Sequence, residues 1–309
     1  LALLALLLEV KEQFSLNIHL AHVDHGQREE SRQEAQELAQ KAKELSLPFH
    51  LHIITKPVQG NLENFYREER YTFFSSLFKK YPFQALLVAH HQNDLEETVL
   101  KRVFEGAHLT SFHGMQTLSS KEDMTLWRPL LSHTKGEILK FLEQKGGNPF
   151  YDRTNEDTRF LRARFRKELI PYLEELFGKS MGNNLAHLSK TSARLQSYLE
   201  SHIDKGTILE EKGQIYIDFA DKHPFEIDYL LRYAKDKYDL PLSRSNIEKV
   251  IQSLEKGEGS CRITTKNYEF SLDRERFLAL PVQQAFPEIK ENIPVKGTFS
   301  YGPWEVIVK

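Results

Sequence analysis

The chain has 309 residues, of which 40% are hydrophobic and 28% charged, a composition typical of a globular protein long enough for two domains. Its formal net charge of -2 excludes a basic character of the whole chain, so any contact with nucleic acid must come from a local basic patch. The single cysteine, Cys261, excludes an internal disulfide framework and a zinc site built on several cysteines, and it fits a cytoplasmic location. No apolar stretch approaches the roughly 20 residues that a membrane helix needs.

The first half of the chain alternates helical and strand patterns. Hydrophobic periodicity predicts the order helix, strand, helix, strand, helix and strand, then a short strand or extended segment, at 1–14, 17–23, 31–45, 50–55, 61–80, 85–89 and 127–131. Ser31 and Glu34 have the spacing of a capping box at the start of the second helix. Strands that alternate with helices predict a parallel sheet with right-handed crossovers.

Polar residues cluster where the first predicted strand ends. The run HVDHGQR at 22–28 contains His22, Asp24, His25 and a glycine. Ligands of an open parallel sheet bind outside the carboxyl ends of its strands, so these side chains could line a site. A histidine-rich turn, with a glycine for its backbone geometry, is the alternative interpretation.

Polar residues also follow a later predicted strand. The apolar run 85–89 predicts a strand buried on both faces, and two histidines follow at 90–91. Asn93 and Asp94 supply helix-start chemistry, and Gly106 can end the helix that follows.

Two carboxylates in that helix share one face. Asp94 and Glu97 are three residues apart, which places both near the edge of the sheet. Such a pair could hold a metal ion or position a nucleophilic amine. The helix dipole alone also favours acidic residues in a first turn, and the spacing does not separate the two interpretations.

The run HHQNDLEET at 90–98 resembles the second signature of the N-type ATP pyrophosphatases, and within them it is most similar to the lysidine synthetases. The segment 22–28 matches the strand-end sequence H-x-D-H-G-x-R of that family. Asn93 is a departure, since the family often has two adjacent acids at this point. The resemblance implies an α/β fold, with a Rossmann-like parallel sheet and flanking helices, followed by a smaller α+β domain.

A basic stretch follows in the second half of the chain. From Arg159 to Lys167 there are five basic residues and no acid. Arg162 and Arg166 are four apart, hence on one helix face, and arginine is well suited to phosphate. A solvated helix face is the alternative. The lysidine synthetases carry a similar N-x-D and R-x-x-x-R element, matched here by Asn155, Asp157, Arg162 and Arg166.

The resemblance implies roles for the residues that match its motifs. The catalytic residues would be Asp94, Glu97 and Arg162, with Asp94 also a metal ligand. The nucleotide would contact His22, Asp24, His25, His90 and His91. The tRNA would contact Arg159, Arg164, Arg166 and Lys167.

The implied reaction modifies the wobble cytidine in the CAU anticodon of an isoleucine tRNA. ATP adenylates the C2 oxygen of the base, and the ε-amine of free L-lysine then attacks C2 and expels AMP. ATP and Mg²⁺ are the expected cofactors, no membrane is expected as a partner, and a homodimer stays open. A tRNA 2-thiolation enzyme is the nearest alternative, although Cys261 alone cannot replace the paired cysteines of those relatives. A catalytically inactive RNA-binding relative is the other alternative.

The phosphate-binding loop of this family, S-G-G-x-D-S, does not occur in the sequence. The residues from Leu1 onward resemble the helix that follows that loop, so we expect a chain truncated at its N-terminus and inactive, or nearly so, as it stands. The predicted domains are a catalytic domain at 1–200, a tRNA-binding domain at 201–285, and a linker or further domain at 286–309.

Overall fold

The computed structural model divides the chain into two compact units, residues 1–196 and 197–309. It describes residues 1–26, 29–56, 60, 62–147, 161–211, 213–258, 260–282, 297–301 and 304–308. Among these residues no helix combines the length and the hydrophobicity that crossing a bilayer requires. The three-part division predicted from the sequence stays a prediction.

The first unit alternates helices and short strands. Its described strands are β1 (Leu20–Asp24), β2 (Phe49–Ile53), β3 (Leu86–Leu87), β4 (Leu118–Lys121) and β5 (Met124–Trp127). Its described helices are α1 (Ala2–Val10), α2 (Glu29–Glu44), α3 (Leu62–Lys80), α4 (Gln92–Phe104), α5 (Lys135–Gln144), α6 (Leu161–Arg164), α7 (Ile170–Phe177) and α8 (Gly182–His202), whose last residues belong to the second unit. A 3₁₀ turn covers Leu109–His113, and a π-helical turn covers Phe165–Leu169.

Parallel strand pairing confirms the predicted α/β class. β1 pairs in parallel with β2, with Leu20 opposite Phe49. β3 pairs in parallel with β5, with Leu86 opposite Leu126, and β4 joins β5 in an antiparallel hairpin. The order β3-β5-β4 therefore places the ends of β3 and β5 side by side.

Two hydrophobic clusters hold the first unit together. One joins β1, α3 and β5 through side chains that include Val23, Tyr66, Phe74, Met124 and Leu126. The other joins α4 to the segment from α6 to α8 through side chains that include Leu95, Val99, Phe165 and Leu185. Burial of these side chains is the main stabilising contribution, and in the second cluster it packs α4 against the segment from α6 to α8.

Two local predictions for this unit are wrong. α2 begins at Glu29, so Ser31 lies inside the helix and does not cap it. Its hydroxyl donates instead to Asp24 Oδ1 at 2.6 Å, because a carboxylate at the end of β1 is a strong acceptor. The segment 127–131 is not a strand beyond its first residue, since β5 ends at Trp127 and the chain turns where Pro129 has no N–H to extend a ladder.

The second unit is built on an antiparallel sheet, as the predicted smaller α+β domain requires. Its main strands pair in the order β6-β7-β10-β9-β8, with bounds β6 (Ile208–Glu211), β7 (Gln214–Asp218), β8 (Ser260–Thr264), β9 (Tyr268–Asp273) and β10 (Arg276–Pro281). Helices α9 (Pro224–Tyr238) and α10 (Arg244–Glu255) add the buried Leu230 and Ile247 to a core with Phe270 and Phe277. A hairpin of β11 (Gly297–Tyr301) and β12 (Trp304–Val308) follows.

Candidate active site

The turn from β3 into α4 positions the carboxylates predicted from the sequence. Val88 extends β3 by donating its N–H to β5, and His91, in extended conformation, is the N-cap residue of α4. Asp94 Oδ2 accepts the backbone N–H of His91 at 3.0 Å, so the carboxylate closes the first turn of the helix. The helix begins at Gln92, one residue before the predicted start at Asn93.

One arginine contacts both carboxylates. Arg166 Nε lies 2.7 Å from Glu97 Oε1, and Arg166 Nη2 lies 3.6 Å from Asp94 Oδ1. Asp94 and Glu97 therefore share one face of α4, as their spacing predicts. Arg166 belongs to the π-helical turn, a backbone feature that occurs frequently at functional sites.

Glu97 is a buried carboxylate whose two oxygens differ in their hydrogen bonding. Its side chain is 2% exposed, and Oε2 has no hydrogen-bond partner among the described residues. Burial raises the pKa of Glu97, and the hydrogen bond and charge of Arg166 oppose that rise. Such a group can take a hydrogen bond or a proton from a ligand more readily than an exposed carboxylate can.

A cleft of about 580 Å³ lies beside Glu97 and the C-terminal half of α4. This volume falls within the range of small-molecule sites. Its acidic lining residues are Glu97 and Glu105, and its lining is richer in cationic side chains, namely Arg67, Lys101, Arg102, Arg128 and Arg162. The excess of positive charge favours a ligand that carries phosphate.

His90 lines the same cleft where β3 and β5 end side by side. Its Nδ1 accepts a hydrogen bond from Arg128 Nε at 3.3 Å. Burial is the main reason that the pKa of His90 is lowered to about 4; the charges of Arg128, Arg162 and Arg70 add to this effect, while Asp94 opposes it. The imidazole is therefore neutral at neutral pH.

Arg128 is a site residue that the motif analysis misses. Its side chain is buried, and Nη1 donates to Gln116 O and to Ser119 Oγ, both at 2.8 Å. A signal was present in the sequence, because Arg128 is the charged residue of the otherwise apolar segment WRPLL at 127–131. A buried arginine must find hydrogen-bond acceptors, so an arginine in an apolar run indicates a polar site nearby.

The predicted basic residues take different places. Arg162 lines the cleft, whereas Arg166 pairs with the carboxylates through the guanidinium edge that a phosphate would need. Arg164 and Lys167 are exposed on the same helical segment. The RNA contacts of these residues stay predictions. Outside the described residues lie Arg159, Asn155 and Asp157.

The residues predicted at the end of β1 form a separate group that does not line the cleft. Asp24 Oδ1 accepts the N–H of Gly26 at 2.8 Å as well as the hydroxyl of Ser31. Asp24 Oδ2 and His22 Nε2 are buried without a partner in the described part of the chain, and burial lowers the pKa of His22. The ring of His25 packs on an aromatic ring of α3, with centroids 4.4 Å apart. Buried polar atoms usually have a hydrogen-bond partner, so these two atoms could bind a polar ligand.

Glu96 belongs to a polar network of its own. Glu96 Oε1 accepts the amide of Gln92 at 2.9 Å, and Oε2 accepts the amide of Asn93 at 3.0 Å. Asn93 Oδ1 in turn accepts the backbone N–H of Lys135, the first residue of α5, at 2.9 Å. Asn93 thus both donates and accepts in this network, whereas the aspartate that the family often has at this position could not donate.

The surroundings of Asp94 bear on the predicted Mg²⁺. The described residues contain no group of three or more candidate metal ligands. Mg²⁺ requires only one or two protein carboxylates where substrate phosphates and water complete its octahedron, so Asp94 fits the ion. His91 Nδ1 lies 3.5 Å from Asp94 Oδ2, and burial lowers the pKa of His91, which makes its ring a neutral neighbour of the carboxylate.

Residues 1–173 match the family model of the PP-loop domain. The chain is 34% identical to the tRNA(Ile)-lysidine synthase of Protochlamydia amoebophila (strain UWE25), over 99% of its own length and 68% of that relative. It is 44% identical to the tRNA(Ile)-lysidine synthase of Chlamydia pneumoniae, over 58% of its own length and 57% of that relative. The chain thus spans between about half and two thirds of the length of these curated relatives. The match to the solved structure of the U34-tRNA thiolase NcsA from Methanococcus maripaludis covers 76% of this chain and 76% of that one. Its 16% identity and TM-score of 0.44 are too weak a likeness to inform function.

Proposed function

The chain belongs to the PP-loop family and to the tRNA(Ile)-lysidine synthases, and from that premise we propose that it joins L-lysine to C2 of the wobble cytidine in a CAU-anticodon isoleucine tRNA. The observation that carries this proposal is the 34% identity with the Protochlamydia enzyme over 99% of the chain. The reaction uses ATP and takes place in the cytoplasm. A homodimer stays a prediction.

The proposed chemistry has two steps. In the first, the C2 oxygen of cytidine attacks the α-phosphorus of ATP, an O–P bond forms, and pyrophosphate leaves. In the second, the ε-amine of lysine attacks C2, a C–N bond forms, and the C2–O bond breaks to release AMP. The amine must be neutral when it attacks, so a base is needed at the site.

Glu97 is the group that best meets this need. Its Oε2 is buried and unpaired among the described residues, so an amine can donate a hydrogen bond to it. Its raised pKa brings it closer to the operating pH, where a general base is most effective. Arg166 holds the opposite oxygen at 2.7 Å and thereby fixes the direction in which Oε2 points.

Arg162 would bind an anionic group of the substrates. It lines the cleft beside Glu97, and guanidinium binds phosphate or carboxylate bidentately. It would stabilise charge on the leaving phosphate or hold the carboxylate of lysine. Exposed Arg164 and Lys167 would contact the tRNA backbone outside the cleft, and Arg159 stays a predicted tRNA contact.

ATP would be bound by the group at the end of β1 together with His91. His22 Nε2 and Asp24 Oδ2 are unsatisfied in the described part of the chain, and His91 follows β3, whereas His90 lines the cleft. Asp94 would hold Mg²⁺, and bound Mg²⁺ neutralises phosphate charge.

The alternative of tRNA 2-thiolation has less support. Sulfur transfer in those relatives relies on paired cysteines, and this chain has Cys261 alone. The experiment below distinguishes the proposed enzyme from the other alternative, an inactive RNA-binding relative.

The test measures ATP–pyrophosphate exchange and lysine incorporation with an unmodified CAU-anticodon isoleucine tRNA. The chain is assayed as it stands and in a loop-bearing form, with the segment S-G-G-x-D-S of the family joined upstream in its strand–loop context. Lysine incorporation by the loop-bearing form is the expected result. Tight tRNA binding without either activity in both forms would overturn the proposal in favour of an RNA-binding protein.

A further inference from the structure

His90 and Arg128 make a contact that the chemistry proposed above does not use. Arg128 Nε donates to His90 Nδ1 at 3.3 Å. Arginine keeps its protons and has no acceptor, so it can only donate in this pair. Nδ1 of His90 must therefore be the nitrogen without a proton. In a neutral imidazole the proton then lies on Nε2.

The guanidinium that imposes this tautomer is itself fixed. Arg128 is 6% exposed, and its Nη1 is held by Gln116 O and by Ser119 Oγ, both at 2.8 Å. These acceptors lie at the start of the β4–β5 hairpin, so the hairpin determines where the guanidinium points. Because Arg128 occupies Nδ1, the edge of His90 that remains for the cleft is Nε2–H.

We propose that His90 presents Nε2–H as a fixed, neutral hydrogen-bond donor to an oxygen of the RNA nucleotide in the cleft, with Arg128 as the positioning residue that sets the tautomer. The nature of the ligand rests on the proposed function, whereas the tautomer does not. A neutral donor suits this cleft, because Arg128 and Arg162 already supply positive charge near His90 and disfavour a charged imidazole. Burial also keeps the ring neutral, since the pKa of His90 is about 4.

The tautomer is measured on the chain without RNA by ¹⁵N NMR of the imidazole nitrogens. The expected spectrum at pH 7 shows His90 with a protonated Nε2 and an unprotonated Nδ1. Arg128→Met is expected to give a mixture of tautomers, whereas Ser119→Ala, which removes another contact of Arg128, is expected to leave the tautomer unchanged. A protonated Nδ1 in the unaltered chain would overturn the proposal, and that spectrum decides the matter even if Arg128→Met fails to fold.

The acceptor is identified with two RNAs, an unmodified CAU anticodon stem-loop and the same stem-loop with an abasic wobble position. A shift of the Nε2 resonance with the intact RNA alone identifies a base carbonyl as the acceptor, and a shift with both identifies a phosphate. An RNA that binds without moving this resonance would overturn the donor role. An RNA that does not bind contradicts the proposed function and with it the ligand assigned to His90, while the tautomer measurement stands independently.

Activity of the loop-bearing form separates the donor from a structural role. Glutamine can place an amide N–H near the position of Nε2, whereas asparagine places its amide near Nδ1. We therefore expect His90→Gln to retain at least tenfold more kcat for lysine incorporation than His90→Asn, with little change in KM for lysine. Equal losses in the two variants would contradict the donor role.

Discussion

Arg166 and Glu97 form an ion pair whose two ends differ in exposure. Arg166 Nε donates to Glu97 Oε1 at 2.7 Å, and the side chains are 31% and 2% exposed, respectively. Water can solvate the arginine if the pair is broken, whereas the carboxylate is almost fully buried. The pair therefore holds a buried charge that has no other charge-assisted hydrogen bond among the described residues.

Removing Arg166 is expected to destabilise the chain. Arg166→Met should lower the free energy of unfolding by about 2–3 kcal/mol, somewhat less than for a fully buried pair because the arginine is partly exposed. Arg164→Met, at an exposed position on the same segment, should change it by no more than about 0.5 kcal/mol. Urea unfolding at pH 7 measures both.

The double variant Glu97→Gln/Arg166→Met shows whether charge burial is the cause. Because it removes the buried charge together with its partner, it should recover part of the stability that Arg166→Met loses. Equal stability of the single and the double variant would mean that lost packing accounts for the effect.

The neutral state of His90 makes stability depend on pH. In the folded chain the pKa of His90 is about 4, whereas the unfolded chain protonates this residue near its ordinary value of 6.5. The unfolded state therefore binds the extra proton between these values, and the free energy of unfolding falls as the pH drops. This contribution amounts to about 2 kcal/mol between pH 7 and pH 5.

His90→Asn should remove that contribution. The difference in unfolding free energy between the unaltered chain and the variant is expected to shift by about 2 kcal/mol in favour of the variant from pH 7 to pH 5. His187→Asn, at an exposed position, controls for the loss of a histidine. A pH-independent difference for His90→Asn would show that the pKa of His90 is not lowered in the folded state.

Gly182 allows α8 to approach the Glu96 network. A Cβ at Gly182 would clash with Glu96 Oε1, so Gly182→Ala must displace the carboxylate from its hydrogen bond with Gln92. The expected loss of stability is about 1–3 kcal/mol. Gly136→Ala, where a Cβ would meet nothing closer than 4.0 Å, should cause no loss in the same thermal unfolding experiment. Equal stability of the two variants would contradict the close approach of Gly182 to Glu96.

Asn93 donates a hydrogen bond to the carboxylate of Glu96. Asn93→Asp would place a second carboxylate about 3 Å from Glu96 Oε2 and leave that oxygen without the amide. We expect a loss of about 1–3 kcal/mol at pH 7. The two acids would share a proton as the pH falls, so the folded state gains a proton and part of the stability should return at pH 5. If two adjacent carboxylates cause the loss, the additional change Glu96→Gln should restore stability at pH 7. Failure to restore stability would contradict that cause.

Local patterns were sufficient for features that depend on neighbours in the chain. The three-residue spacing of Asp94 and Glu97 predicts a shared face, and one guanidinium contacts both. The alternation of strands and helices predicts the parallel pairs of the first unit. Both inferences follow from the geometry of helices and strands, which acts over a few residues.

Contacts between distant segments could not be predicted in this way. Arg166 and Glu97 are 69 residues apart, and Arg128 and His90 are 38 apart, so no local spacing relates them. The Ser31 capping box was wrong for a similar reason, because a tertiary acceptor, Asp24, takes the hydroxyl. Local sequence patterns thus indicate the candidate site, while the fold determines which arginine contacts which acid.

Lysine incorporation by Glu97→Gln tests the central claim most directly. The loop-bearing form, its Glu97→Gln variant and the control variant Glu143→Gln, at an exposed position on α5, are compared with an unmodified CAU-anticodon isoleucine tRNA at saturating ATP. We predict that Glu97→Gln loses at least about a hundredfold in turnover, within the range of general-base catalysis, and that Glu143→Gln does not. Full lysine-dependent turnover by Glu97→Gln would contradict the role of this buried carboxylate.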